Sequence, residues 1–159
     1  MVTVQQSKFG KGLFAIQNIE SGTKILKITG QEISKSAAIS LGDFECYPLQ
    51  IAIDKYIAPF PLPKNLWGFA NHSCNPNCGI KDDQYLIAIK DIKAGEELFY
   101  DYSTTMLEKH WTMPCSCGSS TCRNTITDFD LLPIDVQQKY FKLGIILQFI
   151  KTYLYGQNN

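Results

Sequence analysis

The 159-residue sequence predicts a mainly β fold with a helical tail (α+β), on three observations. From Met1 to about Ile57, short apolar runs alternate with glycine turns. The middle holds apolar segments rich in β-branched and aromatic residues, as strands require. Only the chain from Asp128 onward repeats apolar residues at helical spacing.

The runs "GKGLFAI", "NIESGTKILKITGQEIS" and "CYPLQIAI" read as short strands, with Ser21-Gly22 and Thr29-Gly30 as turns. One helix is possible near "ISKSAAISLGDF". "PFPLPKN", Pro59 to Asn65, is an irregular connector, because proline removes the donor that a ladder or helix needs. "QYLIAIKDIKAGEELFYDY" then reads as a hairpin: a strand from Tyr85 to Ile89, a turn at Ala94-Gly95 and a strand from Glu97 to Tyr102. In the tail, Pro133 stands at a first helical position and Val136, Tyr140, Phe141, Ile145, Phe149 and Tyr153 share a stripe that packs on the domain. Gly144 breaks this tail into two helices.

Length supports one compact core, with a small appended module at most. Fifteen basic and fifteen acidic residues cancel, so no net field directs the chain to nucleic acid or an anionic membrane. The N-terminus lacks a basic n-region followed by an apolar h-region, and the most apolar run, Leu143 to Ile150, is too short for a span. An intracellular, soluble protein is expected, in nucleus or cytoplasm. There its six cysteines are metal ligands or free thiols rather than disulfides.

Cys115, Cys117 and Cys122 form C-x-C-x4-C in a loop with almost nothing apolar to hold it. Zinc bound by thiolates fixes such a loop. A closed site needs a fourth ligand; Cys74 and Cys78 are candidates, with Cys46, His72 and His110 behind them. Gly10-Lys11-Gly12 lets a backbone approach a ligand closely, although alone it reads as a plain β-turn. Tyr100 and Tyr102, two apart on a strand, aim both phenols at one face, which is ordinarily sheet packing.

"GKGLFA", "NHSCNPN" at Asn71 to Asn77, "AGEELFYDY" at Ala94 to Tyr102 and "CSCGSSTC" at Cys115 to Cys122 occur in this order. Together they resemble the SET-domain protein lysine methyltransferases, and "RNTITDFDLLP" resembles the extension of small stand-alone members. The resemblance implies small curled β-sheets with a C-terminal pseudoknot. It implies a SET domain over 1–103, a linker and post-SET zinc segment over 104–126, and a C-terminal helical extension over 127–159. It implies transfer of a methyl group from S-adenosylmethionine to a protein lysine, with a histone tail as one possible substrate, and one structural zinc.

By the same resemblance, Lys11, Gly12, Leu13, Asn71, His72 and Tyr102 bind the cofactor. Cys74 closes the zinc site with Cys115, Cys117 and Cys122. Tyr102 is the catalytic tyrosine, Tyr100 limits the product to mono- or dimethyl-lysine, and Tyr47 lines the lysine channel. The family often has arginine where this chain has Gly68, which concerns the shape of the groove. The rival is a non-catalytic, zinc-stabilised protein-binding module; its signature, loss of Asn71, His72 or Tyr102, is absent.

Overall fold

The computed structural model describes residues 1–41, 48–59, 65–109 and 111–156. Tyr47, Cys46, His110 and most of the proline connector lie outside the described residues.

In chain order the elements are β1 (Val2–Ser7), β2 (Gly10–Ala15), β3 (Lys24–Lys27), β4 (Gln31–Ser34), α1 (Lys35–Ser40), β5 (Leu49–Ala52) and β6 (Lys55–Ala58). There follow β7 (Asn71–His72), β8 (Cys78–Lys81), β9 (Tyr85–Ala88), β10 (Phe99–Tyr100), β11 (Met113–Pro114), β12 (Thr125–Ile126), α2 (Ile134–Leu143) and α3 (Gln148–Tyr155). The strands form small sheets in the orders β1-β2, β3-β9-β8, β4-β6-β5, β10-β7 and β11-β12. Every pairing is antiparallel except that of β7 with β10.

The expected helix near residue 35 is α1, capped by Ser34 Oγ, which accepts from the Ala37 amide. The expected hairpin from Tyr85 to Tyr102 does not form. Instead β9 lies between β3 and β8, and β10 pairs with β7. The reason is visible in β9 itself, where Leu86, Ile87 and Ala88 are all buried. A strand without polar alternation needs cover on both faces and fits a central position. The chain beyond it is claimed by the N-terminal half: Ile92 and Ile19 exchange both backbone bonds, and the amide of Leu98 donates to the Leu13 carbonyl at 2.7 Å.

The tail divides at Gly144, which takes φ 66° and ψ 29° as the left-handed cap of α2. Helix α2 begins at Ile134, one residue after Pro133. The expected stripe is only partly buried. Tyr140 and Ile145 are in the core, but Phe141 and Tyr153 are about half exposed, at 52% and 51%. The break re-aims the second helix, so the two helices do not present one continuous face. The linker Ile145-Ile146-Leu147 carries the burial instead. Asp83, in the tight turn between β8 and β9, accepts from the Gln148 amide at 2.8 Å and fixes the start of α3.

The core joins residues from both halves and the tail, including Leu13, Ile80, Leu86, Leu98, Phe129, Tyr140 and Ile145. Among the described residues, no helix is long and apolar enough to cross a membrane.

Candidate active site

Strands β7 and β10 run parallel, with Asn71 opposite Phe99 and His72 opposite Tyr100. So short a ladder is held by side chains. Asn77 uses its amide as a substitute peptide group, donating from Nδ2 to the Glu97 carbonyl and accepting from the Phe99 amide on Oδ1, both at 2.8 Å. Asn71 Nδ2 donates to the Lys11 carbonyl at 3.0 Å and to Glu97 Oε1 at 2.8 Å. Glu97 also accepts from Ser7 Oγ at 2.9 Å. A side chain at Gly12 would strike the Glu97 carboxylate. Thus Lys11, Gly12 and Leu13 on β2 are drawn against Asn71 and His72.

Tyr102 is the first residue of a 3-10 turn, Tyr102–Thr105, just past β10. Its ring lies 4.8 Å from that of Tyr100 and 5.3 Å from that of His72. The Tyr102 hydroxyl donates to the Ala70 carbonyl at 3.2 Å, and its amide donates to His72 Nδ1 at 3.2 Å. A ring nitrogen that accepts must be unprotonated. Burial outweighs the nearby Asp101 carboxylate and, with Arg123, lowers the His72 pKa to about 4, so the imidazole is neutral. Burial also pushes the Tyr100 phenol well above its usual value.

Between the tyrosines, Asp101 points the other way, into the protein, and is 1% exposed. Arg123 grips it bidentately, with Nη2 to Oδ1 and Nη1 to Oδ2 both at 2.8 Å. Tyr140 on α2 donates its hydroxyl to Oδ2 at 2.8 Å, and the Ser103 amide caps onto Oδ1 at 3.1 Å. Sequence reasoning missed Asp101, Arg123, Tyr140 and Glu97. One signal was present: Arg123 is the chain's single arginine, directly after a cysteine, and arginine is the residue suited to a buried bidentate pair.

The Sγ atoms of Cys74, Cys115, Cys117 and Cys122 all lie within 4.8 Å of one another, with Cys74 to Cys115 at 3.8 Å. Zinc–sulfur bonds of about 2.3 Å in a tetrahedron separate sulfurs by about 3.8 Å, so the four fit such an ion. The amides of Arg123 and Asn124 donate to the sulfurs of Cys74 and Cys122, both at 3.4 Å. His72 Nε2 stands 3.4 Å from Cys74 Sγ. Because Nδ1 already accepts, Nε2 carries the hydrogen and faces the sulfur as an outer partner. Cys78 is elsewhere, fully buried in β8, where burial pushes its thiol up.

Tyr100, Tyr102, Ala70, Trp67, Thr105 and Met106 line part of a cavity of about 300 Å³. Gly68 lines it too, so no side chain fills that part of the wall.

A sequence model described as the SET domain matches residues 10–103. The chain belongs to the SET-domain family. It is 32% identical over 127 residues to the histone-lysine N-methyltransferase trithorax of Drosophila virilis, covering 72% of this chain and 3% of that protein. It is 33% identical over 126 residues to the H3 lysine-4 specific histone-lysine N-methyltransferase of Schizosaccharomyces pombe, covering 70% of this chain and 13% of that protein. A chain in the solved structure of ctPRC2 in complex with H3K27me3 and H3K27M aligns with a TM-score of 0.53 at 27% identity, covering 63% of this chain and 14% of that one. This SET-domain chain therefore spans a small part of the relatives' length.

Within the SET domain, the parallel β7-β10 pair and the paired phenols fall inside the matched residues, whereas Cys115, Cys117, Cys122, Arg123 and Tyr140 lie beyond them. The geometry gathers every expected site residue that falls in the described chain into two neighbouring groups: the β2-β7-β10 junction with its tyrosines, and the thiol cluster.

Proposed function

We propose that this SET domain transfers a methyl group from S-adenosylmethionine to the side-chain amine of a protein lysine. The observation that carries the reading is the pair of phenols, Tyr100 and Tyr102, lining a largely apolar cavity directly beside the β7-β10 junction. Lys11, Gly12, Leu13, Asn71, His72 and Tyr102 hold the cofactor, mainly through backbone groups. The cofactor supplies an electrophilic methyl group on a sulfonium.

A lysine amine attacks only when neutral, while its ordinary pKa is about 10.4. The buried aromatic and aliphatic lining disfavours the ammonium and keeps water from the attacking nitrogen. Tyr102, anchored at its amide by His72 and at its hydroxyl by Ala70, aligns the amine with the methyl; most of the acceleration is positioning. Tyr100 narrows the space around the nitrogen and favours mono- or dimethyl products. Cys74, Cys115, Cys117 and Cys122 hold one structural zinc that fixes the loop beside the site. The relatives' names include histone-lysine methyltransferases, which makes a histone tail the first substrate to try.

The test is transfer of radiolabelled methyl from S-adenosylmethionine to histones and to cell-extract proteins, with Tyr102→Phe beside the wild type. Labelling by the wild type and its loss in the variant are expected. Cofactor binding without any labelled protein would falsify the enzyme and leave a binding module.

A further inference from the structure

His72 serves the proposed cofactor site mainly through its backbone, so its side chain has no part yet in the proposed reaction. The residue is 6% exposed, and each ring nitrogen meets a different group. Nδ1 accepts from the Tyr102 amide at 3.2 Å, and Nε2 stands 3.4 Å from Cys74 Sγ. One rigid imidazole therefore spans the thiol cluster and the turn that carries Tyr102. Asp101 Oδ1, 3.5 Å from Nδ1, is already taken by Arg123 Nη2 and the Ser103 amide.

The two contacts depend on each other. Because Nδ1 accepts, Nε2 carries the hydrogen. Zinc takes a cysteine sulfur as thiolate, which accepts that hydrogen far better than a thiol does. The ring is planar, so tethering Nε2 to the sulfur also aims Nδ1. Its target is an amide with no partner inside its own turn, since Tyr102 is the first residue of the 3-10 segment after the Asp101 cap. A second route joins the same places: the Arg123 amide donates to Cys74 Sγ while its guanidinium holds Asp101. That route ends on the Ser103 amide rather than the Tyr102 amide, so the two can be told apart.

We infer that the His72 side chain is a positioning residue that relays zinc occupancy at Cys74 to the backbone of Tyr102. This rests on the zinc reading and deepens it: the metal does more than fix a loop, because through His72 it sets the turn from which the phenol projects. The coupling is reciprocal, so a ring that loses the sulfur also weakens the hold on the metal.

The test measures zinc affinity by chelator competition, and hydrogen exchange at the Tyr102 amide, in the wild type, His72→Asn and His72→Gln. Asparagine keeps an acceptor near the place of Nδ1 and loses the donor to sulfur; glutamine does the reverse. In the wild type, zinc removal should speed Tyr102 exchange roughly tenfold, as loss of one hydrogen bond does. His72→Asn should bind zinc about ten- to a hundredfold more weakly, with Tyr102 exchange no longer dependent on the metal. His72→Gln should keep more of the zinc affinity and exchange fast at Tyr102 even when loaded. Tyr102 exchange that ignores zinc in the wild type, or that still follows zinc in His72→Asn, overturns the relay; the second result assigns the coupling to Arg123 and Asp101. The same losses of both properties in both variants would make His72 a packing residue and also overturn it. The Ile92 amide, bonded to the Ile19 carbonyl, reports whether stripping zinc unfolds the chain. If it does, the loaded proteins decide: zinc affinity in His72→Asn equal to the wild type, or Tyr102 protection in His72→Gln equal to it, overturns the relay. Neither readout involves methyl transfer, so failure here leaves the transferase reading standing. A wild type that binds no zinc sinks the metal reading and the relay together.

Discussion

The carboxylate of Asp101 accepts from Arg123, Tyr140 and the Ser103 amide, so it caps the turn that carries Tyr102 while tying that turn to the thiol loop and to α2. Removing it leaves the Arg123 guanidinium buried and unpaired. Asp101→Ala should lower unfolding stability by roughly 3–5 kcal/mol, measured by urea titration. Tyr140→Phe, which deletes one hydrogen bond to a charged group, should cost only about 2 kcal/mol. Equal losses would show that the hydroxyl, not the ion pair, holds the turn. At Tyr102, substitution by phenylalanine should cut single-turnover methyl transfer about a hundredfold or more with circular dichroism unchanged, because positioning is lost and packing is kept. The pH profile of kcat/KM should rise with pH as the substrate ammonium loses its proton. Tyr100 is buried and its phenol is raised, so it stays protonated past the ordinary value of about 10, and no falling limb from it should appear up to there.

Local chemistry made some elements legible and long-range pairing hid others. The turns at Ser21-Gly22 and Ala94-Gly95, the α2 stop at Gly144 and the thiol spacing are set by residues close in sequence, and the structure has each where local rules put it. The pairings of β3 with β9 and of β7 with β10 are not set that way. β9 looked like the first arm of a hairpin because the Ala94-Gly95 turn separates it from the apolar run that holds β10, yet β3 and the preceding β8 cover its two edges. Nor could spacing show that Asp101 meets residues 22 and 39 positions away. The thiol cluster gives the next prediction. If one zinc holds it, elemental analysis should find about one ion per chain, and a chelator should raise hydrogen exchange at the Arg123 and Asn124 amides, which donate to ligand sulfurs. Unchanged exchange after complete metal removal would mean that backbone pairing alone holds the loop. Gly79 on β8 offers a separate probe of the tail. An added Cβ there would stand 2.6 Å from Ile145 Cγ2, so Gly79→Ala should cost about 1–3 kcal/mol by overpacking.

Each sheet of this molecule is too small to be stable by itself, since two or three short strands cannot bury a face without further cover. The pieces are mutually dependent, and the C-terminal tail is one of them. Ile145, Ile146, Leu147 and Ile150 are each no more than 2% exposed, and Tyr140 joins them in the core. Burying four such aliphatic side chains contributes about 6–12 kcal/mol at the usual value per residue. That is comparable to the whole stability of a domain, about 5–15 kcal/mol. The tail also delivers the Tyr140 hydroxyl to Asp101, which caps the 3-10 turn of Tyr102, so its loss reaches that turn through the Asp101 carboxylate. A chain ended at Pro133 should therefore lack a cooperative thermal transition, even though all the matched SET-domain residues remain. Replacing the exposed aromatics Phe141 and Tyr153 by serine should leave the melting temperature within a few degrees, because these rings face outward. Differential scanning calorimetry of the three proteins decides the matter. A truncated chain that melts cooperatively near the wild-type temperature would show that the tail decorates a self-sufficient domain, and that the coupling through Asp101 is dispensable.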